Sequence, residues 1–244
     1  MKKLILITGI IILSLSFAMA QPGINRQIPL IGSEAPSFKA NSTHGQLQFP
    51  RDFGENWKII FAHPRNFTPV CSSEIIELAK AQDEFTRMGA SLIVISSDEL
   101  MSHYGWIKAM ESIKFGEDET QIQIKFPLVA DPSYQISNKY GMLDSNVSPW
   151  RNLRGVFFID PENKVRAFQF YPNEVGRNIE EVKRTLAALQ TNYMDNKAHL
   201  PANWMPGDDV MLPFFGPGDR EKLGDPDSDI YQLIWFMTYR KASK

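Results

Sequence analysis

The residues with the most chemical potential lie together in one run, His63-Pro64-Arg65-Asn66-Phe67-Thr68-Pro69-Val70-Cys71. The run leaves an apolar, strand-like segment, Trp57 to Ala62, and enters a stretch with helical periodicity. Threonine is a good N-cap, and proline is favoured at the first helical position. With Thr68 as N-cap and Pro69 at N1, Cys71 falls at N3, where a capping box normally carries Glu or Gln. The potential anion at that place is a thiolate, close to free backbone N–H groups and to the positive end of the helix dipole. Such settings lower a thiol pKa from about 8.5, in strong cases to ~3.5–7.5. The expected chemistry is nucleophilic attack by sulfur.

Cys71 is the only cysteine among 244 residues, so no intramolecular disulfide can form. Ser72, Ser73 and Glu74 follow it, which removes the Cys-x-x-Cys pair that a thioredoxin-type disulfide oxidoreductase needs. His44, His63, His103 and His199 lack ligand spacing, so neither a zinc centre nor another bound cofactor is expected. A formal net charge of −2 offers no basic field to recruit nucleic acid. With 43% hydrophobic and 22% charged residues, the composition is that of a globular protein rather than a disordered one. An isolated cysteine is more often a small buried hydrophobe. The Thr-Pro helix start is what sets this one apart.

The elements that must position the thiol can be read on both sides of it. Trp57-Lys58-Ile59-Ile60-Phe61-Ala62 reads as a buried strand, and the helical stretch runs from about Pro69 to Met88. Cys71, Ile75, Leu78, Gln82 and Phe85 share one face of that helix, and Gly89 stops it. Ser91 to Ser96 is a second buried strand, followed by a helix containing Trp106, Ile107 and Met110; Phe126 to Ala130 is a shorter strand. Gly155 to Ile159 and Val165 to Phe170 flank Asp160-Pro161-Glu162-Asn163 as a hairpin. Asn178 caps a long helix, Ile179 to about Met194, with Glu181 placed to complete a capping box. Strand-helix-strand alternation argues for an α/β layer fold.

The two ends of the chain have a different character. Lys2 and Lys3 precede an apolar run from Leu4 to Phe17, and Ala18-Met19-Ala20 closes it with small residues, the layout of a cleaved secretory signal peptide. The run is too short for a membrane anchor, which needs ~20 apolar residues. Residues 1–20 are therefore expected to direct export to the periplasm or the medium and to leave no stable membrane span. A lone thiol is unusual in an exported protein and suggests either intermolecular pairing or reactivity. From Asp195 onward Pro201, Pro206, Pro213, Pro217 and Pro226 alternate with Trp204, Phe214, Phe215, Trp235 and Phe236. That segment, 195–244, reads as an arm packing on the main domain, 21–194, or on a partner subunit.

Pro64, Thr68 and Cys71 together form a Pro-x-x-x-Thr-x-x-Cys pattern that resembles the peroxidatic signature of the peroxiredoxins, the group that includes thiol-specific antioxidant and alkyl hydroperoxide reductase proteins. The His63-Pro64 opening and the long C-terminal extension resemble the one-cysteine subgroup. Arg154-Gly155-Val156-Phe157-Phe158-Ile159-Asp160-Pro161, Tyr171-Pro172, Gly176-Arg177-Asn178 and Pro206-Gly207-Asp208 extend the likeness over roughly Gly32 to Pro213. Two features depart from the pattern: Asn66 stands where the family usually has Asp, and an export signal is unusual in the group.

The resemblance implies a thioredoxin-like fold, with a central mixed sheet flanked by helices and a small C-terminal arm domain. It implies a thiol-dependent peroxidase that reduces hydrogen peroxide and organic hydroperoxides through a cysteine sulfenic acid. Cys71 would be the nucleophile, Thr68 would hold its hydroxyl beside sulfur and peroxide, Arg154 would supply donors and positive charge, and Pro64 would shield the sulfenate from water. His63 adjoins the same site. A Glu74–Arg177 pair supporting Cys71 resembles the family's arrangement, and it would explain a cation just before a helix N-terminus, an unfavourable place for one. With no second cysteine, recycling requires an external thiol, thioredoxin-like, glutathione-like or other. A homodimer or larger homo-oligomer with exchanged arms is also implied. The competing reading is a non-catalytic thioredoxin-like binding or chaperone module whose thiol is incidental.

Overall fold

Two polar segments that carry no obvious strand signal, β1 (Phe38–Ser42) and β2 (Gly45–Phe49), form a hairpin. Only one face of it is apolar: Phe38 pairs with Phe49 across the ladder, their rings stacked at 5.0 Å, while Lys39, Asn41 and Gln46 face water. The computed structural model describes residues 28–117, 119–144, 148–213, 218, 220–223, 225 and 227–242. The expected leader, residues 1–20, lies outside these, as do Phe214, Phe215, Pro217 and Pro226 of the arm.

The main elements that follow are β3 (Trp57–Ala62), α1 (Pro69–Arg87), β4 (Ala90–Ser96), α2 (Leu100–Glu111), β5 (Leu128–Ala130), α3 (Gln135–Lys139), β6 (Arg154–Ile159), β7 (Val165–Tyr171) and α4 (Ile179–Met194); all but the short α3 follow the alternation read from the sequence. Seven strands make one mixed sheet in the order β7-β6-β3-β4-β5-β1-β2. The central pairs β3–β4 and β4–β5 are parallel, whereas β6 runs antiparallel to both β3 and β7. Every residue of β3 and β6 is buried, Lys58 and Arg154 included, as expected for largely apolar strands in the middle of a sheet covered on both faces.

Alternation along β3 sends Ile59 and Phe61 to one core and Ile60 and Ala62 to the other. The first core packs against α1, α2 and α4 through Ile75, Leu78, Phe85, Trp106, Val182 and Leu186. The second is closed by the β1–β2 hairpin and by Ile136, Tyr140 and Phe157. Gly89 ends α1 with φ +67, a left-handed conformation that glycine adopts without the usual steric cost.

At the start of α4, Asn178 Oδ1 accepts from the Glu181 N–H at 3.2 Å, as a side-chain cap should. The expected reciprocal half of the capping box is missing. Glu181 instead gives its carboxylate to Arg184, at 2.6 and 2.8 Å, because a cation one turn on is the stronger partner.

Beyond α4 the chain forms a small sheet of β8 (Val210–Met211), β9 (Ile230–Ile234) and β10 (Met237–Arg240), in the order β8-β10-β9. Trp204, Leu212 and Ile230 are buried there, but Leu233, Ile234, Trp235 and Phe236 at the hairpin tip are exposed, Trp235 at 79%. Among the described residues no helix is long and apolar enough to cross a membrane.

Candidate active site

The thiol loop begins where β3 ends. His63 N–H donates to the Ile95 carbonyl at 3.1 Å, which extends the β3–β4 pairing by one residue before Pro64 diverts the chain. Thr68 takes the N-cap position with φ −113 and ψ 144, and Pro69 opens α1, so Cys71 does fall at N3. The capping hydroxyl expected of Thr68 is not found. Its Oγ1 donates to the Arg65 carbonyl at 2.9 Å and caps no N–H of the helix. Spending the hydroxyl hydrogen on Arg65 leaves the oxygen free as an acceptor.

Cys71 is fully buried in the first turn of α1 and belongs to the first core. β6 runs antiparallel to β3 with Val156 opposite Phe61, so its first residue, Arg154, arrives beside the exit of β3. Arg154 Nη1 lies 3.3 Å from Cys71 Sγ and donates to Glu74 Oε2 at 2.6 Å. Its Nε and Nη2 both donate to the Asn173 carbonyl, at 3.0 and 2.6 Å. A planar guanidinium held at three of its nitrogens has little freedom to turn away from sulfur.

Glu74, one turn after Cys71, is buried and lies between two arginines. Arg177 donates to it from the backbone N–H, Nε and Nη2, each at 2.8 Å. The remaining Nη1 of Arg177 donates to the Gly155 carbonyl at 2.7 Å, and its guanidinium carbon stands 3.4 Å from the centre of the Phe61 ring. Burial pulls the Arg177 pKa below its ordinary value, and Glu74 opposes that pull. The carboxylate thus balances one of the two cations. The other faces sulfur.

His63 is fully buried behind the loop, with its ring 4.9 Å from that of Trp106 and 6.5 Å from that of His103. Neither ring nitrogen makes a hydrogen bond of good geometry. Burial pushes its pKa well below 6.5; His103, Arg177 and Arg154 act the same way, and only the Arg65 backbone opposes them. His63 is therefore a neutral imidazole packed on an indole. Pro64 is buried beside it and lines a cleft of about 630 Å³ that Arg65, Asp98, Tyr134, Trp150 and Arg151 also border. A second recess, about 340 Å³, reaches Thr68 and Phe67. A larger cavity of about 690 Å³ lies between α4 and the arm, and no thiol-site residue lines it.

Three contributors carry little sequence signal. Asn173 acts through its carbonyl, which any residue type supplies. Trp106 donates from Nε1 to Ser72 Oγ at 3.1 Å and roofs the thiol helix, yet its spacing marks it only as a core residue of α2. Asn66 binds α2 from the loop, a contact between segments that only the fold brings together. Among the described residues no group of three or more His, Cys, Asp or Glu is arranged to hold a metal ion.

The sequence pattern of the AhpC/TSA family matches residues 31–168. A peroxiredoxin of Methanosarcina mazei is 40% identical over 219 residues, covering 89% of this chain and 100% of the relative. A peroxiredoxin of Thermotoga maritima is 37% identical over 222 residues, covering 88% and 99%. Among solved structures, the yeast mitochondrial 1-Cys peroxiredoxin superposes with a TM-score of 0.77 at 31% identity, covering 88% of this chain and 100% of its own. A cysteine-to-serine mutant of peroxiredoxin 6 of Arenicola marina gives the same TM-score at 28% identity, covering 88% and 99%.

Proposed function

The chain belongs to the AhpC/TSA family, and from that membership together with the setting of its one thiol we propose a one-cysteine peroxidase cycle centred on Cys71. The protein is a thiol-dependent peroxidase, an oxidoreductase with a thioredoxin-like fold. The observation that carries the assignment of roles is the 3.3 Å contact between Arg154 Nη1 and Cys71 Sγ.

In this reading the Cys71 thiolate attacks one oxygen of ROOH. An S–O bond forms, the O–O bond breaks, and the other oxygen leaves as ROH once it has taken the peroxide proton. Sulfur is oxidised by two electrons to the sulfenate, which becomes the sulfenic acid on taking a proton from solvent, and the peroxide is reduced by the same two electrons. Arg154 stabilises charge both on the attacking sulfur and along the breaking bond. Thr68 Oγ1, its hydrogen committed to Arg65, accepts from the peroxide O–H and orients it. Glu74 and Arg177 hold Arg154 in place, Pro64 keeps water from the sulfenate, and His63 contributes as a neutral wall of the site. No bound cofactor or metal is required.

Recycling then needs two equivalents of an external thiol, the first forming a mixed disulfide with release of water and the second freeing Cys71. The yeast relative's thiol-resolving mechanism works through glutathione and thioredoxin systems, which supports a thiol reductant here. We read residues 1–20 as an export leader, which places the mature protein in the periplasm or the medium. We read 195–244 as an arm serving homodimer or larger assembly; the exposed Leu233, Ile234, Trp235 and Phe236 support that reading.

Peroxide titration tests the function directly. The reduced protein loses one thiol per chain faster than free cysteine does, dimedone traps the product, and Cys71→Ser abolishes turnover. Reaction no faster than free cysteine would establish the incidental-thiol reading instead.

A further inference from the structure

With the O–O bond held between Thr68 Oγ1 and the Arg154–Cys71 contact, any group that a hydroperoxide carries must leave the site past Thr68 and Pro64. Those two residues open onto different spaces. Pro64 lines the cleft of about 630 Å³, and Thr68 lines the recess of about 340 Å³. The same four residues, Arg65, Asp98, Ser102 and Arg151, border both, so the two spaces are parts of one rim around the thiol loop. A water molecule takes up about 30 Å³ of the liquid, so hydrogen peroxide would leave nearly all of this room unused. The rim is sized for a substituent.

The side chains on the rim say which kind. Arg65 and Arg151 are exposed, and among the described residues neither guanidinium has a hydrogen bond or an ion pair. Arg154 and Arg177, by contrast, are buried and held by Glu74 and by backbone carbonyls. Of the two carboxylates on the rim, Asp98 commits Oδ2 to the Asn66 N–H and to Ser96 Oγ, each at 2.8 Å. Glu99 is exposed directly before α2, where the positive end of the helix dipole offsets its charge. Two uncommitted cations therefore outweigh one compensated anion. The cleft also has an aromatic wall: Trp150 is 70% exposed, and its carbonyl accepts from the Tyr134 hydroxyl at 3.3 Å.

We propose that this rim selects the substrate: Arg65 and Arg151 bind the carboxylate of an organic hydroperoxide whose apolar body rests on Trp150, and such a peroxide is preferred to a neutral one of the same shape. The proposal rests on the peroxidase reading of Cys71 and deepens it. A guanidinium presents a planar fork of donors that matches a carboxylate. Because both arginines face water, the preference is modest and weakens with salt.

Cumene hydroperoxide and its para-carboxylate form a matched pair of probes that differ by one charge. Oxidation of the reduced full chain by each is followed in stopped flow, and the ratio of the two rate constants cancels any effect of a substitution on the thiol itself. In the wild type the carboxylate reacts about tenfold faster at low ionic strength, and the advantage shrinks below about threefold in about 0.5 M sodium chloride. Arg65→Gln and Arg151→Gln each cut the ratio about threefold, the double variant brings it close to one, and Glu99→Gln raises it. A wild-type ratio of one, or an advantage that survives in the double variant, overturns the proposal. The ligand para-isopropylbenzoate, which carries no peroxide, reads the rim without the peroxidase chemistry: it protects Cys71 from iodoacetamide in the wild type and not in the double variant. Protection together with slow oxidation by both peroxides would overturn the peroxidase reading and leave the carboxylate site standing. Fast oxidation with neither protection nor charge preference would overturn the carboxylate site alone.

Discussion

Arg177 grips Glu74 through three hydrogen bonds of 2.8 Å, two to Oε1 and one to Oε2, while its guanidinium lies over the Phe61 ring. The carboxylate so fixed offers Oε2 to Arg154 Nη1 at 2.6 Å, and that same nitrogen is the one beside sulfur. Two buried cations share one buried anion, which leaves a positive charge matched only when sulfur is negative. The residue nearest the chemistry is thus aimed by a carboxylate, and the carboxylate by a second arginine one layer further back.

Arg177→Met tests that order of support. Methionine preserves contact with Phe61 and keeps the backbone N–H bond to Glu74, but removes the two side-chain donors, Nε and Nη2. Breaking a buried ion pair by deleting one partner typically costs about 3–5 kcal/mol, which urea unfolding would show. The carboxylate then draws Arg154 toward itself and off the sulfur, so oxidation of Cys71 slows about tenfold or more in stopped-flow measurements. An unchanged oxidation rate in a folded variant would mean that Asn173 and Glu74 aim Arg154 without the Arg177 side chain.

Arg154→Lys distinguishes charge from geometry. A lysine keeps the positive charge but cannot serve sulfur, Glu74 and the Asn173 carbonyl with a planar fork of donors. Peroxide oxidation is expected to fall by about 10²–10³, the scale seen when one preorganised donor is lost from a charged transition state. A lysine variant close to wild type in rate would assign the effect to charge alone.

The thiol helix could be read in advance because its signals are local: a Thr-Pro start, an apolar face and a glycine stop all act within one element. The same holds for the Asn178 cap. The β1–β2 hairpin escaped notice because its apolar residues, Phe38, Leu47 and Phe49, are diluted by polar ones facing water. Where two partners compete, residue type does not decide: Thr68 Oγ1 donates to the Arg65 carbonyl and caps no helix N–H, and Glu181 accepts from Arg184 and not from the Asn178 backbone N–H. The hold of Asn66 on α2 joins residues more than thirty positions apart, so spacing says nothing of it.

Asn178→Ala removes the side-chain acceptor for Glu181 N–H at the start of α4. The expected loss is about 1 kcal/mol of unfolding free energy. Because Asn178 directly follows Arg177, a concurrent fall in the rate of Cys71 oxidation would show that the cap also fixes the second arginine. Denaturant unfolding and stopped-flow oxidation on one preparation separate the two effects.

Acid sensitivity should come first from the buried histidines. Burial holds both His63 and His103 below their ordinary value near 6.5, so in the folded chain they stay neutral where the unfolded chain binds protons. Stability is therefore complete above about pH 6.5 and declines as pH falls from there, by up to about 1.4 kcal/mol per pH unit for each histidine. The depressed carboxylates of Glu181 and Asp195 also cost stability in acid, but only below their ordinary values of 4.5 and 3.8. The interval between pH 6.5 and 5 thus belongs to the histidines. His63→Phe keeps a ring on Trp106 and gives up only the weak interaction with the Arg65 backbone, since neither nitrogen of His63 makes a hydrogen bond of good geometry. The variant should flatten the slope of unfolding free energy across that interval by one histidine's share, measured by urea unfolding at a series of pH values. A slope identical to wild type would show that His63 takes up its proton inside the folded protein, and the neutral imidazole beside the thiol loop would have to be abandoned.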